Sequence, residues 1–537
     1  MRSRWTFVLP VLLLFLPLAA HAQAPGVYAI TNATVHPASG PDIANGTVLI
    51  RGGLIEAAGA NVPIPPDAAV IDAKGAHVYP GLFDAQTSLG FPTARPPTRG
   101  RRGGGGGRGA QQQEQLPETS PAYVALHNVN LSDDDVDARR GIGVTTIVTA
   151  PAFGIFNGQS VVLDLGNGTP EERVIKSPAG MQISFIPRPA WTFPDSLMGV
   201  IAYIRQTMMD AQWYGNARAI YEKNPTVGQR PETSESLDAM QPVIAKSLPV
   251  VFEADTELMM RRAQKLANEF GVRYILSGGR QGYRFANELK GWNVPVLVSV
   301  KWPVPPATKE DREEQPLRMI RDRQLEPTTP SAFVKSGVTF ALVSGAGKTG
   351  DFIPGIRKAI DNGLSADDAL KATTIWPARI FGVDRQLGSI EHGKIANVVV
   401  SDKPIFDKDA KITHEFVDGR EMRLPPPEKK AGESAPSAVD GIWRLTVRGS
   451  QGDVAITITL HNENGSLTGT FSGDKGSGDI RSGSFDGTAV ELTIPVKGQT
   501  ETESSDWIFR GTLDGTSMSG SVITSLGTFQ FSGSKAR

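Results

Sequence analysis

Between Ile142 and Asn362 the chain alternates β-branched apolar runs with amphipathic helix patterns, and this alternation constrains the fold more than any other feature. Arg139-Arg140-Gly141-Ile142-Gly143 leading into Val144 to Thr149 reads as a helix end, a glycine cap and a buried strand. Met181 to Ile186 follows, with a helix from Ser196 to Glu222; then Leu248 to Phe252 with Thr256 to Phe270, and Tyr274 to Leu276 with Gly282 to Leu289. Val294 to Val300 and then Val338 to Val343 with Ile356 to Asn362 complete the series. A strand followed by a helix, repeated, builds a parallel sheet covered by helices. Over about 300 residues it predicts an α/β fold closed as a TIM-like (β/α)8 barrel rather than an open sheet.

The two ends read differently. Arg2 and Arg4 precede an apolar run from Phe7 to Ala20 that is short for a membrane span, and Ala20-His21-Ala22 offers a small-x-small cleavage site. Residues 1–22 are therefore expected to be a signal peptide, placing the protein in the periplasm or outside the cell with no membrane insertion after cleavage. There is no cysteine among the 537 residues, which removes disulfides and thiolate chemistry from consideration. A formal net charge of −1 gives no electrostatic case for nucleic acid as a partner. Residues 95–121, rich in Gly and Arg, and 424–437, rich in Pro, Glu and Lys, lack the apolar content to build a core. They read as a disordered insertion and a linker. Beyond the linker, residues 438–537 carry about eight short alternating segments separated by turn signals such as Asn464-Gly465 and Asp514-Gly515. These predict a C-terminal antiparallel β-domain, a barrel or a sandwich, weakly similar to the lipocalin-like domains.

Two further sets of residues carry a resemblance. Near the start stand Ile30-Thr31-Asn32-Ala33-Thr34-Val35, Gly46 to Ile55, Val70 to Gly75 and Pro80-Gly81-Leu82-Phe83-Asp84-Ala85-Gln86-Thr87-Ser88. After the barrel pattern come Ala372-Thr373-Thr374-Ile375-Trp376-Pro377-Ala378-Arg379 and Gly388 to Asn397. Together they resemble the amidohydrolase superfamily, closest to its imidazolonepropionase-like branch, over about residues 27–423. The resemblance implies a composite β-sandwich from 27–76 with 383–423 beside a barrel over 77–382. It also implies hydrolysis of non-peptide carbon–nitrogen bonds by a metal-activated water.

The chemical residues of that family are replaced. Its first barrel strand ends Pro-Gly-x-x-Asp-x-His-x-His, and Gln86 and Ser88 occupy the histidine positions here. Glu253, then Ser277 or Gly278, stand where further histidines are expected, and Gly345 where the family has an aspartate. A zinc site needs about three ligands from His, Cys or carboxylate, and Asp84, Glu253 and His127 are a poor substitute set. No metal and no other cofactor is expected, and the catalytic residues are left unknown. Arg280 and Lys301 stand at adjacent strand ends, where they would either neutralise Glu253 or hold an anion. With Gln86, Ser88, Ser277 and Ser344 these residues form the candidate ligand-binding set at the barrel mouth. Trp191, Trp213, Tyr214 and Trp302 would line that mouth or pack in the core. The readings left open are a binding or partner subunit, paired with an active relative or with itself, an atypical hydrolase, and a binder of small anions.

Overall fold

The computed structural model describes residues 26–92, 120–188, 193–226, 229–306, 312, 314–345 and 347–424, and in the C-terminal part 439–449, 452–463, 466–473, 476–485, 488–497, 504–524 and 527–536. The expected signal peptide, the Gly/Arg-rich insertion apart from Ser120 and Pro121, the linker apart from Leu424, and Trp191 lie outside the described residues. The chain divides into two units, residues 1–425 and 426–537.

Among the described residues the first unit contains sixteen strands. They are β1 (Tyr28–Val35), β2 (Ile43–Arg51), β3 (Leu54–Gly59), β4 (Ala69–Asp72), β5 (His77–Pro80), β6 (Leu82–Thr87), β7 (Val144–Thr149), β8 (Phe156–Asp164), β9 (Val174–Ile183), β10 (Val250–Ala254), β11 (Tyr274–Gly278), β12 (Val296–Ser299), β13 (Phe340–Val343), β14 (Val398–Ser401), β15 (Ile412–Val417) and β16 (Arg420–Glu421). Among the described residues its helices are α1 (Asp133–Arg140), α2 (Leu197–Lys223), α3 (Glu235–Ile244), α4 (Glu257–Phe270), α5 (Ala286–Trp292), α6 (Leu317–Leu325), α7 (Thr329–Ser336), α8 (Phe352–Asp361), α9 (Ala366–Ala372) and α10 (Ile375–Phe381). Ser132, Ser196, Ser234, Thr256 and Ser365 cap α1 to α4 and α9 by accepting a backbone N–H of the first turn.

Both ends of this unit build one eight-stranded sheet, in the order β16-β15-β14-β5-β1-β2-β3 with β4 on β1. Ile30, Val48, Ile50, Val78, Val398 and Phe416 pack into its core. His77–Pro80 belongs to this sheet, pairing antiparallel with β14, and so corrects the expectation that the barrel begins at residue 77. Gly81 then passes the chain across to β6. A Cβ there would sit 2.1 Å from Thr145 Oγ1, so no larger residue fits.

The second sheet has eight strands in the order β13-β12-β11-β10-β9-β8-β7-β6. Its end strands meet: Thr87 and Gly345 form a parallel bridge, with the Gly345 amide donating to the Gln86 carbonyl at 2.9 Å. Phe83, Val148, Val162, Val251, Ile275, Leu297 and Ala341 fill the inside together with Phe381 and Leu387. The outer faces, with Phe252, Leu276, Val298 and Phe340, pack against the helices. One strand departs from the expected regular alternation, because β8 runs antiparallel to both β7 and β9. The β8–β9 hairpin turns at Gly166-Asn167-Gly168, a turn signal that the strand–helix reading passed over.

The second unit has β17 (Gly441–Gly449), β18 (Gly452–Glu463), β19 (Ser466–Gly473), β20 (Gly476–Asp479), β21 (Ser482–Phe485), β22 (Ala489–Lys497), β23 (Ser504–Asp514), β24 (Ser517–Thr524) and β25 (Gly527–Lys535). All its pairings are antiparallel and run in a ring, because β17 pairs β25 and β18 pairs β19. Residues 479–485 are divided between the end of β20 and β21. Trp443, Leu460, Leu492, Ile494, Phe509 and Val522 form the unit's own core. The Trp443 indole N–H is satisfied by the Val439 carbonyl at 2.7 Å.

Candidate ligand site at the strand ends

Side chains alternate along a strand, so the inward position of Val251 places Glu253 on the inside of the second sheet, one layer nearer the C-terminal rim. Ile275 does the same for Ser277, and Leu297 for Ser299. Glu253 and Ser277 are paired in register on neighbouring strands. Gln182 is the register partner of Val251 and also faces inward. A register shift in β6 between Asp84 and Thr87 lets Gln86 turn to the same side, where its amide N–H donates to Gln182 Oε1 at 3.4 Å. The inner rim therefore brings together Gln86, Gln182, Glu253, Ser277 and Ser299.

Three features of this rim are chemically open. The contact between the two glutamines leaves Gln86 Oε1 and Gln182 Nε2 buried without a partner. Glu253 has no ion-pair or hydrogen-bond partner among the described residues. Burial pushes its carboxyl up to about 7, with the nearby Asp255 carboxylate adding to the shift. A buried polar atom left unpaired costs about 1–3 kcal/mol, so the rim is suited to a ligand that both donates and accepts hydrogen bonds.

The other proposed residues lie elsewhere. Arg280 does not neutralise Glu253. Its guanidinium binds Asp255 at 2.9 and 3.2 Å and the Lys301 carbonyl at 2.9 Å, because the left-handed Gly278 and Gly279 (φ 104° and 51°) turn the chain outward after β11. Lys301 is exposed. Ser88 is half-buried in the turn after β6, where its carbonyl accepts from Phe91 N at 3.1 Å. Ser344 is buried on the outer face, locked to Asp84: its hydroxyl and its backbone N–H donate to the carboxylate at 2.5 and 2.9 Å. Arg139 from α1 completes that network, donating to Asp84 Oδ2 at 2.6 Å, with both side chains buried. Asp84 is thus a structural anchor. Trp302 packs in the core with its indole N–H on the Gly355 carbonyl at 2.8 Å, and Trp213 is exposed on α2. Tyr214 is buried with its hydroxyl on Asp238.

The rim does not fit the metal that the family resemblance would suggest. Among the described residues no three His, Asp or Glu side chains converge. His127 is exposed, and His36 pairs with His77 and Asp42 in the first sheet. Gly345 adopts φ 59°, and a Cβ there would stand 3.0 Å from Ser299 Oγ, so an aspartate at this position would be strained.

Sequence reasoning missed Gln182 and Arg139. Gln182, a polar residue between Met181 and Ile183 in an apolar strand, carried a readable signal. Arg139, at the end of an ordinary charged helix turn, carried none.

The model of the amidohydrolase family matches residues 318–422. An amidohydrolase from Thermotoga maritima is similar at 25% identity, covering 74% of this chain and 100% of that chain with a TM-score of 0.62. A prolidase complexed with N-methylphosphonate-L-proline aligns at 17% identity, over 74% of this chain and 100% of that chain, with a TM-score of 0.45. Molinate hydrolase aligns at 15% over 74% of this chain and 95% of its own, also at 0.45. Neither of these last two likenesses bears on the chemistry of this chain. Fold and family match together liken the first unit to the amidohydrolase superfamily.

Proposed function

We propose that this chain is an exported TIM-like barrel of the imidazolonepropionase-like branch that binds a small polar molecule at its strand ends without a metal, acting as a binding or partner subunit. The observation that carries the reading is the inner rim itself. The histidine positions of the family motif hold Gln86 and Ser88, and Gln86 is engaged with Gln182 while one amide atom of each is left for a ligand. The motifs from Ala372 to Arg379 and Gly388 to Asn397 support the branch. Export rests on the leader pattern of residues 1–22; no helix among the described residues is long and apolar enough to cross a membrane.

The chemistry argues against metal-type hydrolysis. A bound metal lowers the pKa of water from 15.7 to about 7, and the rim offers no replacement for that activation. A second reading, cleavage of a non-peptide carbon–nitrogen bond by an atypical site, draws on Glu253, whose carboxyl near 7 can exchange a proton at neutral pH. The anion-binding alternative loses its principal cation to the Arg280–Asp255 pair.

Thermal-shift measurements in chelator with small neutral amides, ureas and lactams test the proposal. A ligand-dependent rise in Tm that is lost in Gln182→Leu, with the ligand recovered intact, is expected. Turnover of the ligand in chelator would favour the second reading, and turnover abolished by chelator would overturn the proposal.

A further inference from the structure

The inner rim offers a ligand more acceptors than donors. The contact between the glutamines leaves Gln86 Oε1 as an acceptor and Gln182 Nε2 as a donor, each buried without a partner. Glu253 adds both oxygens of its carboxyl to the acceptor side. Ser277, its register neighbour on β11, brings a hydroxyl that serves either way. Glu253 is only half-buried, so a ligand arriving at the strand ends can reach it.

The charges around the rim point the same way. Arg280 is held by Asp255 and stands 4.0 Å from Glu326, Arg139 is held by Asp84, and Lys301, after β12, is exposed. None of these cations acts on Glu253; burial and the Asp255 carboxylate both push its carboxyl up, to about 7. Once ionised, such a carboxylate is stabilised most by a cation that brings its own hydrogen-bond donors. A planar amidinium meets both carboxylate oxygens with two parallel N–H groups and keeps further N–H groups for a second acceptor. We propose that the rim takes a small organic cation of the amidinium or guanidinium type, paired with the Glu253 carboxylate and donating also to Gln86 Oε1. Gln182 Nε2 is left for an acceptor on the cation's substituent. This rests on the reading of the rim as a small-molecule site and adds the charge of the molecule that it selects.

Acetamidinium and acetamide share a shape and differ in charge, so their binding to the full chain in chelator, followed by ligand-observed NMR titration, tests the proposal. The cation requires the ionised carboxylate, and its apparent affinity scales with the ionised fraction. For a carboxyl near 7 that fraction is about 1% at pH 5 and about 90% at pH 8. Acetamidinium should therefore bind about a hundredfold more tightly at pH 8 than at pH 5, and acetamide should show no such gain. Glu253→Gln should level the response to pH and weaken acetamidinium at pH 8, with an unchanged circular-dichroism spectrum. Acetamide bound in preference to acetamidinium at pH 8 would overturn the cation proposal and leave the small-molecule reading standing. Failure of both compounds to bind at either pH would overturn the two together. A response to pH that persists in Glu253→Gln would place the charge elsewhere and overturn the proposal as well.

Discussion

Glu253 has surroundings out of keeping with an ordinary surface carboxylate. Its carboxyl is buried on the inner rim beside Ser277 with the Asp255 carboxylate nearby, and its pKa is raised from 4.5 to about 7. The folded state therefore keeps this proton where the unfolded chain releases it. The stabilising effect is complete below pH 4.5 and is lost as pH rises through about 7, by on the order of 3 kcal/mol at most. Glu253→Gln should leave urea unfolding at pH 4 nearly unchanged and raise stability at pH 8. A variant that follows the parent at both pH values would contradict this burial. Asp164, fully buried beside Asp418 and bonded to Thr146 and Asn397 at 2.8 and 2.9 Å, is pushed in the same direction by burial, and so is Glu415. The parent itself should therefore lose stability between mildly acidic and neutral pH. Arg280 makes the opposite point. Its side chain is 24% exposed and that of its partner Asp255 50%, so the pair is a rim contact worth about 0–1 kcal/mol. Arg280→Ala should shift the urea midpoint only slightly, whereas a loss of several kcal/mol would restore the idea that it neutralises a buried charge.

At the level of elements, the closure of the second sheet depends on a contact that no strand pattern announces. Asp84 on β6, Ser344 after β13 and Arg139 on α1 tie the first strand to the last, across a seam with one bridge at Thr87 and Gly345. Arg139→Leu removes the partner of a fully buried carboxylate and should cost about 3–5 kcal/mol in chemical denaturation. Asp84→Asn with Arg139→Leu should recover part of that loss. Equal destabilisation by the single and double changes would show that packing, not charge, closes the seam. The strand runs from Val144 to Val343 were legible because inward and outward faces are both apolar, so β-branched stretches stand out from the amphipathic helices. β8 was not, because Phe156-Asn157-Gly158-Gln159-Ser160 mixes polar residues into the strand. The site was half legible. Gln86, Glu253 and Ser277 follow from their places at strand ends, whereas the inward turn of Gln86 depends on a register shift, and the capture of Arg280 by Asp255 on two left-handed glycines. Neither of these can be read from residue types alone.

For the whole molecule, the two units carry separate cores, the second centred on Trp443, Phe509 and Leu492. Residues 439–537 alone should therefore give a cooperative unfolding transition and dispersed amide resonances; a collapsed spectrum would show that the ring of strands needs the first unit. The first unit keeps the family's architecture, with the Asn397 side chain bridging the two sheets through Asp164 and Asp418, while its strand ends hold amides and hydroxyls in place of imidazoles. A scaffold of this kind without a metal-ligand set should not hold zinc, which calorimetric zinc titration of the chelator-treated full chain measures. No saturable binding of zinc that depends on Glu253 is expected. One tightly bound equivalent per chain, lost in Glu253→Gln, would instead point to a metal-dependent hydrolase.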